Sequence, residues 1–391
     1  MKKYSVLIVG IDCYFGHIKE FIINLRKKNP LVDISLVTSP ITDDDYEEVR
    51  GVVDRIVLHK SYQGRIRPRY FVMLMNVMYY SFEFFGLFLK QRFDIVDIQF
   101  PNRHIKFAMP VIKMMTKNIV ITPWGSDVLR VEDEKSIKEL RKVYSKARYV
   151  TISKDSQIGQ CAMEKFKVNP EKMVKLGWGG AFFDFIQENT ERVSSEVAKT
   201  RFGLSDKYVI TCGYNTQREQ RHEQIIDAIY GVRDQLPGNL VLLFPFTYGR
   251  SAWSDEYTES LKEKCRELGL NFIAVEEHLD MLDLLKLRMS TDIFVHVQTT
   301  DAGSRCVMEY VACNKKVVHG SWIKYAYLEN YKPSCYFPVD RIEKLGECIV
   351  GAYHSTVSTL PKEVEKIIME RGWNHKMALW NDFFESLLLR S

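Results

Sequence analysis

Two carboxylates separated by seven residues, Asp301 and Glu309, flank the point where an apolar run gives way to a loop and then a helix. The run Thr291-Asp292-Ile293-Phe294-Val295-His296-Val297 reads as a buried strand, followed by Gln298-Thr299-Thr300-Asp301-Ala302-Gly303-Ser304. A loop at the carboxyl end of a parallel strand is where open α/β sheets bind ligands. Gly303 permits close backbone approach, and a helix starting near Ser304 offers unpaired N–H groups, so a diphosphate would suit the position. Glu309 would lie about one and a half turns into that helix. There it could accept hydrogen bonds from two vicinal ribose hydroxyls, while Asp301 faces a sugar. The same spacing also fits a helix cap at Asp301 and a solvated carboxylate at Glu309.

Other strand ends carry groups able to act on a hydroxyl. Gly10-Ile11-Asp12-Cys13-Tyr14-Phe15-Gly16-His17 joins the first strand to the first helix without forming the G-x-G-x-x-G dinucleotide fingerprint. Asp12 and His17 could orient or deprotonate an acceptor hydroxyl, or serve as a helix cap and a packed ring. Asp127 follows Trp124 and Gly125 at another strand end, and His104 stands beside Arg103. Asp43-Asp44-Asp45 lies in a polar stretch, lacks apolar flanks and reads as a solvated turn. No essential metal is expected.

The elements that must position these groups alternate. Strands are expected at Ser5–Val9, Ile34–Thr38, Arg55–Leu58, Ile95–Gln99, Ile119–Thr122 and Arg148–Ser153, with helical patterns between most of them. A second alternation has strands at Tyr208–Cys212, Val241–Phe244, Asn271–Val275, Ile293–Val297 and Lys316–His319. This is the β-α order of doubly wound sheets. The polar stretch Gln187–Lys199 is the best boundary, giving domains over 1–190 and 204–372, and the amphipathic helix 373–391 is expected to pack back on the first. A length of 391 residues suits two such domains.

Composition excludes more than it assigns. Net charge is +5, too weak to argue for nucleic acid. Eight cysteines without a C-x-x-C pair read as reduced thiols of a cytoplasmic protein. The opening Met1-Lys2-Lys3 and its short apolar run read as a strand rather than a signal peptide. Tyr70–Leu89 is interrupted by Asn76, Ser81 and Glu83 and reads as a buried or surface-lying helix rather than a membrane span. Lys60, Arg65, Arg67 and Arg69 precede it, a basic and aromatic combination suited to an anionic membrane surface, or simply a solvated loop before a core helix.

Several of these segments together resemble the family-4 class of GT-B glycosyltransferases. Its Glu-x7-Glu signature has a counterpart in Thr291–Val295, Asp301-x7-Glu309 and Ala312–Val318, with Asp301 replacing the first Glu and Asn314 and Lys316 replacing the usual Gly and Pro. Thr122-Pro123-Trp124-Gly125-Ser126-Asp127, Tyr149-Val150-Thr151-Ile152-Ser153 and the linker around Gly177-Trp178-Gly179-Gly180 are similar to further family elements. A weaker likeness, to lipid-linked amino-fucose transferases, lies in Phe244-Pro245-Phe246-Thr247-Tyr248.

The resemblance implies an α/β GT-B fold, two Rossmann-like doubly wound domains facing each other across a cleft. It also implies retaining transfer from a nucleoside-diphosphate sugar. It would place Gly213, Gly303, Ser304 and Glu309 at the donor, with no cofactor beyond that substrate. The family's usual phosphate-binding Arg and Lys are missing after Gly213, where Tyr214 and Gln220 stand; Arg218 and Arg221 lie near enough to supply the charge. The acceptor would be a glycan or a lipid-linked or surface-polysaccharide intermediate. The rivals are a sugar-nucleotide epimerase on the same fold and a non-catalytic binding protein.

Overall fold

The computed structural model describes residues 1–59, 69–247, 249, 252–301 and 304–389, without the side chains of 69–74, 76, 252 and 253. The chain divides into two compact units, Met1–Gly179 with Trp373–Ser391, and Gly180–Gly372.

Six strands form the sheet of the first unit: β1 (Ser5–Gly10), β2 (Asp33–Thr38), β3 (Arg55–Leu58), β4 (Ile95–Gln99), β5 (Ile119–Thr122) and β6 (Tyr149–Val150). All pair in parallel, in the order β3-β2-β1-β4-β5-β6. The apolar run Val6–Val9 is fully buried, as required of a central parallel strand covered by helices on both faces. Leu7, Val9, Val96, Ile98 and Ile121 pack with Phe84, Ile112 and Val143 in one core.

The helix Phe15–Lys28 turns Ile18, Phe21, Ile22 and Leu25 inward. Trp380 of the helix Trp373–Leu388 meets Phe21 edge-on at 4.9 Å and donates through Nε1 to the Gly177 carbonyl at 3.0 Å. Asn381 Oδ1 accepts from Tyr4 at 3.3 Å and Asn29 at 3.0 Å. A fully buried aromatic side chain contributes on the order of 1.5–3 kcal/mol, which holds the end of the chain in this unit.

The second sheet contains β7 (Tyr208–Cys212), β8 (Leu240–Pro245), β9 (Phe272–Val275), β10 (Ile293–His296), β11 (Lys316–Gly320) and β12 (Tyr336–Val339). It is also parallel, in the order β12-β11-β10-β7-β8-β9. The edge strand β12 carries Pro338, which obscures it in the sequence and which an edge position tolerates.

The polar stretch Gln187–Lys199 folds inside the second unit. Its short helix Ser195–Arg201 is capped by Ser194, and Val193 and Ala198 pack with Phe182, Ile186 and Leu285. The three acidic residues from Asp43 are not a turn. They open the helix Asp43–Arg50, where Thr42 Oγ1 accepts from the Asp45 N–H at 3.2 Å and the acidic run faces the positive helix end.

Each sheet reverses direction once. In the first the reversal falls between β1 and β4, in the second between β7 and β10. Asp12, His17 and His104 follow the strands of the first switch point and Gly213, Arg218, Arg221, Asp301 and Ser304 those of the second, while Asp127 follows β5.

Candidate functional site

In the second unit the loops after β7 and β10 are tied together. The Gly213 N–H donates to Val295 O at 3.1 Å and the Thr299 N–H to Glu219 O at 3.2 Å. The Gln220 amide donates to Gln298 Oε1, and its own Oε1 accepts from the Tyr214 N–H at 3.3 Å. Gly213 has φ +64°, and a Cβ there would lie 2.8 Å from His222 Nε2, so only glycine fits this turn. The neutral Gln220, at the position where the resemblance would put a lysine, is thus a buried tie between the loops.

Glu309 lies in the helix Arg305–Ala312 and is buried, 7% exposed. Its Oε2 accepts from Arg288 Nε at 3.0 Å and Nη2 at 2.8 Å, while Arg288 Nη1 donates to the Tyr310 hydroxyl at 3.2 Å. Oε1 accepts no hydrogen bond from another described residue. A lone buried carboxylate would be costly, and Arg288 removes that cost while leaving one oxygen open.

Ser304 caps this helix, its Oγ accepting from the Cys306 N–H at 3.2 Å. The Ser304 N–H is itself engaged, by Asp301 Oδ2 at 3.1 Å and the Tyr325 oxygen at 2.9 Å. Asp301 Oδ2 also accepts from the Tyr325 hydroxyl and lies 3.3 Å from His296 Nε2. Asp301 therefore braces the loop, and Ser304 is the cap. Gly303 lies outside the described residues, as does Tyr248.

Arg218 is exposed, its guanidinium 4.4 Å from the Tyr257 ring centroid. Arg221, at φ +60°, stands 5.2 Å from that of Trp322, whose Nε1 donates to Gln298 O at 2.7 Å. Neither arginine makes an ion pair among the described residues. Arg221 thus packs toward the β10 loop and Arg218 toward the helix after β8.

In the first unit Asp12 stands exposed in the turn after β1 at φ +60°. Its N–H donates to Ser39 Oγ at 2.9 Å and its Oδ2 accepts from Asn102 Nδ2 at 3.2 Å, which joins the loops after β1, β2 and β4. It caps no helix; the residue at that position is Tyr14. The His17 ring is edge-on to Tyr14 and to Trp124, each at 5.1 Å, and 6.5 Å from Trp178.

Asp127 is buried at 5% exposure, with Oδ1 accepting from the Trp124 N–H at 3.0 Å and the Gly125 N–H at 2.7 Å. It fixes the turn that carries Trp124. His104 accepts from Arg103 Nε at 3.3 Å, and burial, then the Arg103 charge, lowers its pKa.

Burial gives two pairs of groups, one in each unit, opposite responses to pH. His222 and His319 are pushed down to about 3, each mainly by desolvation and His319 also by His296. The unfolded chain binds these protons near the ordinary value while the folded one does not, so their stabilisation is complete above about pH 6.5 and is lost toward pH 3. Asp127 and Asp97 are pushed up, to about 7 and about 6, by desolvation. Their folded forms keep protons that the unfolded chain releases above about pH 4, so they cost stability as pH rises through 4–7. Calorimetry from pH 7 to 4.5 should show the second unit losing stability, on the order of 2–3 kcal/mol per histidine, and His222→Gln should flatten that slope.

No protein-family model and no curated protein sequence matches the chain. Among solved structures it is similar to a glycosyltransferase from Rickettsia africae ESF-5, at 15% identity and a TM-score of 0.75, covering 100% of both chains. It is similar to HepE of Anabaena, solved with UDP and glucose, at 13% identity and a TM-score of 0.70, covering 98% of this chain and 100% of that one. Sucrose-phosphate synthase from Thermosynechococcus elongatus follows at 10% identity and 0.68, covering 100% of both. The fold is GT-B.

Within this GT-B chain the two candidate groups are each assembled from separated segments. Arg288, Tyr325, His296 and the Gln220–Gln298 tie were not found from sequence. Arg288 had one signal, its helical spacing three and four residues after Leu285 and Leu284, where burial on that apolar face would demand an acidic partner.

Proposed function

We propose that the chain is a glycosyltransferase that moves a sugar from a nucleoside diphosphate to a hydroxyl acceptor, on a lipid-linked or surface-polysaccharide intermediate. The observation that carries this reading is Glu309, buried beside a switch-point loop, with Arg288 on one oxygen and the other open for ribose hydroxyls. The GT-B fold shared with HepE, which was solved with UDP and glucose, supports it.

In the proposed step the bond between the anomeric carbon and the diphosphate oxygen breaks, and the acceptor oxygen bonds to that carbon. The acceptor proton passes to Asp12, to His17 or to the departing diphosphate. Arg218 and Arg221 stabilise the leaving charge without a metal. Asp127 and Asp301 hold the turn and loop on which acceptor and sugar rest. Retention of configuration follows the family resemblance.

The reading is tested by incubating the protein with a panel of nucleotide sugars, with and without glycan acceptors. A product that appears only when acceptor is present supports transfer. Conversion of the donor alone would identify an epimerase, and stabilisation by nucleotide with no turnover a binding protein.

We place the acceptor side at an anionic membrane surface. Among the described residues no helix is long and apolar enough to cross a membrane. The helix Arg69–Lys90 buries Tyr80, Phe84 and Leu87 but exposes Met78, Phe82, Phe85 and Leu89 at helical spacing. Residues 60–92 include Lys60, Arg65, Arg67, Arg69, Lys90 and Arg92 against Glu83 alone. Lys60, Arg65 and Arg67, and the Arg69 side chain, lie outside the described residues. Flotation with phosphatidylglycerol vesicles should recover the protein, and joint Phe82→Ser and Phe85→Ser substitution should lower recovery about fivefold or more. Equal recovery of the variant would remove the membrane from the account.

A further inference from the structure

We infer that Arg288 is a positioning residue that makes the donor site selective for ribonucleotides, by occupying one oxygen of Glu309 and leaving the other to take the ribose hydroxyls. The inference rests on the nucleotide-binding reading above and deepens it.

Arg288 stands in the last turn of the helix Met281–Ser290 and is 6% exposed. Two of its donors converge on a single oxygen, Oε2, instead of spreading over both as in a fork-to-fork pair. The third bond runs to the Tyr310 hydroxyl, and the guanidinium lies 4.7 Å from the Tyr310 ring centroid. The side chain is thereby fixed from three directions, and so is the carboxylate it holds.

An ionised carboxylate only accepts hydrogen bonds, and its second oxygen retains two lone-pair positions. The ligand group beside Oε1 must therefore donate. A phosphate oxygen is repelled there, whereas the two hydroxyls of a cis-diol can each use one lone pair. A nucleotide lacking the 2′-hydroxyl leaves a buried acceptor unsatisfied, which is costly. Without Arg288 the carboxylate is free to rotate, and the preference for the diol should vanish with the loss of its fixed direction.

The test is calorimetric titration of the full chain with uridine and guanosine diphosphates and their 2′-deoxy counterparts. Wild type should prefer the ribo form by about tenfold. Arg288→Met should bring the ratio close to unity, and Arg288→Lys, which keeps the charge and one donor direction, should restore part of it. If the Met variant does not fold, Arg288→Lys and Tyr310→Phe decide, with an expected fall of about two- to fivefold in the ratio.

A wild type that binds ribo and deoxy forms equally, or variants that keep the wild-type ratio, would overturn the role of Arg288 while the nucleotide reading stands. A wild type that binds neither diphosphate would overturn the nucleotide reading itself, and this inference with it.

Discussion

Replacing Glu309 with glutamine should lower glycosyl transfer by about two to three orders of magnitude, with the loss concentrated in the donor KM. Hydrogen bonds to a charged acceptor contribute about 1.5–3 kcal/mol each, and the two ribose hydroxyls proposed to bond Glu309 would lose theirs together. The substitution also removes the counter-charge of Arg288, whose donors at 3.0 and 2.8 Å meet only Glu309 Oε2. Breaking a buried ion pair from one side costs about 3–5 kcal/mol, so the melting temperature of the second unit should fall as well. Steady-state kinetics against donor and acceptor, with a melting curve, separates the effects. A variant with an unchanged donor KM would show that Glu309 serves packing alone.

Asp12→Asn should have the opposite kinetic signature. The carboxylate is exposed, held by Asn102 at 3.2 Å and by its own N–H on Ser39 at 2.9 Å. Asparagine has the same shape and tolerates φ near +60°, which leaves the turn intact. What disappears is the charge proposed to orient a hydroxyl and accept its proton. General-base assistance contributes about two to four orders of magnitude, so kcat should fall by about a hundredfold or more while calorimetric affinity for nucleoside diphosphate stays at the wild-type value. Loss of nucleotide affinity in this variant would contradict an acceptor-side role, and undiminished kcat would exclude Asp12 from the chemistry.

The sequence was most legible where burial is uniform. Val6–Val9 and Ile293–Val295 form continuous apolar runs because helices cover both faces of their sheets, and such runs fix strand position without any partner being known. β12 was hidden because Pro338 breaks the strand signature, which only its edge position permits. The polar stretch Gln187–Lys199 has the composition of a linker, yet it folds against Phe182 and Leu285 through Val193 and Ala198.

Side-chain partnerships were the illegible part. Glu309 was visible as a carboxylate at helical spacing, but its partner lies 21 positions away in a different helix. Asp301 could be read as facing a sugar or capping a helix; its contact with Tyr325 depends on a turn 24 positions further on. Arg218 and Arg221 were inseparable by spacing, and only packing on Tyr257 and Trp322 distinguishes their directions.

The most direct measurement is diffraction from crystals of the protein soaked with uridine or guanosine diphosphate. The account predicts density for the ribose within hydrogen-bond distance of Glu309 Oε1 and for the diphosphate between the Ser304 helix start and Arg221. Nucleotide density elsewhere on the chain, or Oε1 covered by the protein's own groups at saturating ligand, would contradict it.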